Sequence, residues 1–109
     1  MTLEDLKEHV STPVEPITYN YGGPDGVTVH ECPPNGHGIV VLIALGIIDE
    51  LHEMGKIDLS KTEHNSVEWL HILIEVLRLA FADARAHVAD PDKEDVPVKQ
   101  LLSKVSRHV

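Results

Sequence analysis

Eight histidines, one cysteine and eighteen acids are the side chains that could do chemistry in these 109 residues. His30 and Cys32 stand two apart, on one face of a strand, and His37 follows after two prolines. Imidazole nitrogen and thiolate sulfur suit zinc, but no fourth ligand is near and the spacing matches no zinc module. His30 then reads as a surface histidine and Cys32 as a small half-buried thiol. A nucleophilic Cys32 would need His30 or His37 in reach as base, and a depressed thiol pKa. His71 and Glu75 lie one helical turn apart but lack the HExxH order, so they read as a solvated stripe beside Arg78. Asp90, Asp92 and Glu94 mimic positions 1, 3 and 5 of a calcium loop. Position 6 should be Gly and is Asp95, position 12 should be Glu and is Leu101, and two prolines interrupt. These carboxylates are instead expected to hold backbone amides in a turn.

Thr2 would be N-terminal if Met1 were removed, and a terminal Thr can act as a nucleophile with its own amine as base. It also has a simpler task, capping the helix that starts at Leu3. No GxSxG, phosphate loop or dinucleotide fingerprint is present. No residue is therefore assigned a catalytic, cofactor-binding or metal-binding role, and no cofactor is expected.

Composition narrows the class. The length is that of one domain, 1–109. The chain is 42% hydrophobic but only 4% aromatic, so Leu, Ile, Val and Ala must build the core. A formal charge of −9 speaks against nucleic acid or an anionic membrane as partner. One cysteine excludes an internal disulfide framework. No apolar run reaches the roughly 18 residues of a membrane span. The start, MTLEDLKEHV, lacks the pattern of a signal peptide, so the expectation is a soluble, cytoplasmic protein.

The elements that must position these residues read as α+β, mostly helical, with about four helices and one hairpin. A short helix is expected over 3–9, with Leu3, Leu6 and Val10 on one side. Alternating strands at 17–21 and 27–32 flank Gly22-Gly23-Pro24-Asp25-Gly26, a five-residue hairpin loop. Ile17, Tyr19, Tyr21, Val27 and Val29 should share its buried face. Residues 39–54 form a helix by length, with Val40, Ala44, Ile47, Leu51 and Met54 on one stripe and Gly55 at the C-terminal cap. Over 39–48 this helix is apolar all round, so protein must surround it. The longest helix spans 66–89, capped by Asn65 or Ser66. Val67, Leu70, Ile74, Leu77, Phe81, Ala84 and Val88 recur every 3 or 4 residues as its expected buried face. Pro97 opens a last helix with Val98, Leu101, Leu102 and Val105. A 24-residue helix is about 36 Å long, while a compact chain of this length has a radius of gyration of about 13 Å. The pattern is that of a piece of something larger, or of an oligomer.

Several segments, in order, carry a family resemblance. They are Thr2-Leu3-Glu4-Asp5-Leu6, Pro16-Ile17 with Tyr21, Pro33-Pro34-Asn35-Gly36-His37-Gly38-Ile39, His64-Asn65-Ser66 before Leu70-His71, Glu75 with Leu79-Ala80-Phe81-Ala82-Asp83, Asp90-Pro91-Asp92, Val96-Pro97 and Leu101-Leu102-Ser103-Lys104. Nearly the whole chain resembles the C-terminal part of the large subunit of γ-glutamyltransferases. These are glutathione-cleaving N-terminal-nucleophile hydrolases, in which the segment would be part of an αββα sandwich. The chain looks closest to the branch carrying P-P-N-G-x-G-I rather than P-P-S-S-G-G; His37 stands where that branch commonly has Gln, and the loop 22–26 is longer than usual. The resemblance implies a nucleophilic Thr in a Thr-Thr-His-x-Ser-like stretch of the small subunit; Thr62-Glu63-His64 is not that stretch. It places the substrate-gripping Arg earlier in the large subunit. No catalytic residue carries over to this sequence, and the matching positions, Asp83 and Asp90 among them, look structural.

Three readings follow. The first is a scaffold segment of a γ-glutamyltransferase-like enzyme, inert alone, whose partner is the remainder of that enzyme. The second is a helical protein-interaction module without activity, using its open apolar faces on another protein or for self-association. The third is a small enzyme using Cys32 or Thr2.

Overall fold

A computed structural model describes residues 1–103. Helix α1, Leu3–Glu8, is set by its first turn: the Thr2 hydroxyl accepts from the Asp5 amide at 3.3 Å, and the Asp5 carboxylate accepts from the Thr2 amide. This reciprocal cap carries the helix without tertiary help. Leu3, Leu6 and Val10 are all exposed, so the expected apolar side packs on nothing among the described residues.

Strands β1, Ile17–Tyr21, and β2, Val27–Glu31, pair antiparallel from Ile17 opposite Glu31 to Tyr21 opposite Val27. Cys32 falls just beyond β2 and is exposed rather than half-buried. Ile17, Tyr19, Tyr21 and Val29 turn to the protein, as the alternation predicts. Val27 is exposed instead, because it closes the ladder beside the loop, where little protein lies over it. In that loop Gly22 and Gly23 take left-handed φ angles of 81° and 74°, which other residues rarely adopt.

Helix α2, Gly38–Glu53, is the centre of the molecule. Ile39, Val40, Leu42, Ile43, Ala44, Gly46 and Ile48 are buried around most of it, but Val41 is 43% exposed, so the all-round cover expected over 39–48 is incomplete among the described residues. Ile47 and Leu51 are half-buried, and Met54, expected on the same stripe, is exposed beyond the helix end. Gly55, at φ 69°, donates to the His52 carbonyl while the Lys56 amide donates to that of Leu51, both at 2.9 Å. These two bonds form the expected glycine stop.

Helix α3, Val67–His87, begins at Ser66, whose hydroxyl accepts from the Trp69 amide at 3.2 Å. Its buried face shares only Leu77, Ala84 and Val88 with the expected one. Val76, Ala80 and Ala84 pack on α2, with Ile72, Leu77 and Val88 beside them. Of the predicted stripe, Val67, Leu70, Ile74 and Phe81 are exposed. The helix carries two apolar faces, and the one with alanines wins because small side chains let two helices approach closely. Residues 90–95 form the expected turn, in which the Asp90 carboxylate accepts from the Asp92 amide at 3.0 Å. Helix α4, Val98–Leu101, is capped by Pro97 rather than begun by it, and buries Leu101 against the core. Val105 lies outside the described residues.

The result is elongated, 56 × 28 × 28 Å with a radius of gyration of 16.9 Å, well above the compact value of about 13 Å. No described helix is long and apolar enough to cross a membrane. The two faces of α3 separate in a stability test by denaturant midpoint. Ala80→Leu should cost about 1–3 kcal/mol by overpacking, whereas Ile74→Ser should change stability by no more than about 0.5 kcal/mol.

Candidate functional site

The expected chemical residues do not converge. His30 and Cys32 lie on the exposed side of the hairpin, lining a shallow cleft of about 260 Å³ with Val14, Pro16, Glu31 and Pro33. His37 is not part of that cleft; its ring lies 6.2 Å from that of Phe81 on α3. Of the two proposed bases, His30 shares the cleft with Cys32, while the His37 ring faces Phe81. On α3, the Glu75 carboxylate accepts from the Arg78 guanidinium at 3.0 Å, the pairing that their spacing predicts. Thr2 is engaged with Asp5, whose carboxyl is held below its usual range first by the Thr2 amide and then by the Thr2 hydroxyl. With α1 exposed throughout, no wall surrounds Thr2. Among the described residues, no group of three or more His, Cys, Asp and Glu is placed to hold a metal ion.

Two arrangements escaped the sequence. Asp49, near the end of α2, accepts from the Tyr19 hydroxyl at 3.0 Å and from the Gly22 amide at 3.3 Å, tying the hairpin to the central helix. The partners are 27 to 30 residues away, so no local spacing signals them. Burial, and secondarily the Asp49 charge, raises the Tyr21 phenol above its ordinary value of 10.0. The second is at the start of α3. Asn65 adopts a left-handed φ of 61°, and the His64 ring stands edge-on to Trp69 at 4.8 Å.

The surface with the features of a binding face is the outer side of α3. Ile74, Leu77, Arg78, Phe81, Ala82 and Arg85 line a groove of about 440 Å³. It continues around Phe81 and Arg85 to the loop before α2, where Asn35 and His37 line a second hollow of about 480 Å³. Apolar floor with a basic edge is the chemistry of a docking face. It offers neither a nucleophile nor a set of donors aimed at one point.

Fold and surface together define an α+β unit built on a mostly buried central helix, with one apolar helix face open. The γ-glutamyltranspeptidase family model matches residues 1–107, and the chain belongs to that family. It is 34% identical to the glutathione hydrolase-like YwrD proenzyme of Bacillus subtilis, over 95% of this chain and 18% of the relative. It is 35% identical to the oxamate amidohydrolase proenzyme of Klebsiella pneumoniae, over 94% and 17%. Among solved structures, the γ-glutamyltranspeptidase of Pseudomonas nitroreducens superposes with a TM-score of 0.78 at 27% identity, covering 98% of this chain and 30% of that one. The cephalosporin acylase of Bacillus halodurans gives 0.75 at 35%, covering 99% and 18%. The chain thus spans less than a fifth of the curated relatives it matches.

The Asp49 tie is open to a pH test. Tyr21 titrates high when folded, so its contribution to stability is present below the unfolded value near 10 and is lost as pH rises through the folded one. Asp49→Asn should lower the alkaline midpoint of the tyrosine absorbance without restoring the ordinary value, because burial, the larger cause, remains.

Proposed function

We propose that these residues are a scaffold segment of the large subunit of a γ-glutamyltransferase-like enzyme, one acting by glutathione hydrolysis or γ-glutamyl transfer. The family match over 1–107 carries the reading. The share of matched chain supports the subunit. It is 18% and 17% in two proenzymes but 30% and 28% in two solved γ-glutamyltranspeptidases. Those solved chains are therefore well short of a proenzyme's length, as one subunit of a divided chain would be. The relatives and structural neighbours include a glutathione hydrolase, an oxamate amidohydrolase and a cephalosporin acylase. Glutathione is preferred because it recurs among the curated relatives.

The role within such an enzyme is mechanical. α2 would be the buried strut, α3 would cover it and present its outer face to the rest of the enzyme, and the hairpin would be held in place through Asp49. None of these 109 residues supplies the nucleophile. Covalent catalysis of acyl transfer needs a nucleophile with a base beside it; against that role, the Thr2 hydroxyl is engaged in capping α1 and Cys32 stands exposed just beyond β2.

The chain by itself should release no amine from a chromogenic γ-glutamyl anilide and should carry no stoichiometric metal by elemental analysis. Release that disappears in Thr2→Ala would make Thr2 a nucleophile and overturn the scaffold reading. Release that survives Thr2→Ala but not Cys32→Ala would make the chain a thiol enzyme.

A further inference from the structure

We propose that the outer face of α3 seats an apolar element flanked by carboxylates, contributed by the part of the γ-glutamyltransferase-like enzyme outside these 109 residues. This rests on the scaffold role proposed above and adds the surface and its complementary chemistry.

Three observations carry it. First, the face is a continuous apolar stripe left open: Leu70, Ile74 and Phe81 are exposed by 41%, 54% and 47%, although Ala80 and Val76 one face round are buried. Its spacing alternates 3 and 4, averaging 3.5 residues, the period that keeps one seam of a helix against a long partner. The groove between Ile74, Leu77 and Phe81 is large enough for side chains of that partner to enter. An exposed apolar stripe of this length is the mark of an interaction site.

Second, the rim of the groove is basic. Arg78 and Arg85 stand seven apart, so they lie along one edge of the stripe, and both line the groove. Both are exposed, in a chain whose overall charge is −9. Arg78 shares its charge with Glu75, while Arg85 forms no ion pair among the described residues. The other edge is closed by α2, which Val76, Ala80 and Ala84 contact. A second copy lying antiparallel on this face would set basic rim against basic rim. An acidic flank on the partner would meet Arg85 directly, with His37 and Asn35 at the same end of the groove.

Third, the same backbone is found inside longer chains. The solved relatives that superpose with TM-scores of 0.75 to 0.78 contain this unit as 18–30% of their length. Most of such an enzyme is thus available to cover the stripe.

The test compares thiol labelling at the face in two settings. One is this chain; the other is the Bacillus subtilis YwrD proenzyme with this chain replacing the matching stretch. Both carry Cys32→Ser and Ala82→Cys, and the labelled peptide is read by mass spectrometry. Ala82 is exposed and lines the groove. Labelling should be fast in the chain and about tenfold slower in the chimera. Arg85→Glu with Arg78→Glu should return most of that rate in a chimera that stays soluble, and Arg85→Lys should keep the protection.

A soluble chimera labelled as fast as the chain overturns the surface while leaving the scaffold role standing. An insoluble chimera beside a soluble YwrD parent overturns the scaffold role and this inference with it. Slow labelling of the chain alone, together with a dimer in sedimentation, makes a second copy the occupant and overturns the proposal. Protection unchanged by the Arg→Glu changes overturns the acidic flank.

Discussion

The structure depends on covering α2. Its first ten residues present no polar face, and Ile39, Leu42 and Ile43 are fully buried. Burying a side chain of this kind stabilises by about 1.5–3 kcal/mol, and leaving it wet forgoes as much. Each other element is placed by what it contributes to that cover. α3 supplies its alanine face, the hairpin supplies Ile17 and Tyr21, and α4 supplies Leu101. α1 contributes nothing to it and is held by its own cap and the Lys7–Glu4 pair along its surface.

Covering α2 with the small face of α3 has a structural cost elsewhere. A helix of 21 residues with apolar side chains on two faces cannot bury both against one neighbour. The alanine face goes inward and the larger side chains, Leu70, Ile74 and Phe81, go outward. The unit is then elongated and open on one side, the form of a piece cut from a larger fold. Membership of the γ-glutamyltranspeptidase family gives that openness its physical sense, since the chain spans less than a fifth of its curated relatives.

Polar groups refine what burial sets in place. Asp49 gives the hairpin a defined seat on α2, through one hydroxyl and one amide, where apolar contact alone would leave the ribbon free to slide. A two-stranded ribbon is marginal by itself in water, so its order depends on this attachment. The Gly22 amide that reaches this carboxylate directly follows the last residue of β1, and the left-handed backbone at Gly22 and Gly23 then turns the chain into the loop.

Elements whose signals are local were legible in the sequence. The Thr2 cap, the hairpin around 22–26, the glycine stop at Gly55, the Ser66 cap and the Asp90 turn each depend on residues within a few positions of one another. That most of α2 would be buried was equally plain from its apolar sequence, although Val41 stays exposed. The tertiary structure alone decided which face of α3 turns inward, since hydrophobic spacing describes both faces and close packing selects the small one. It alone joined Asp49 to Tyr19, and it set the His37 ring beside Phe81. Such meetings are made by packing between distant segments, and side-chain periodicity within one segment holds no record of them.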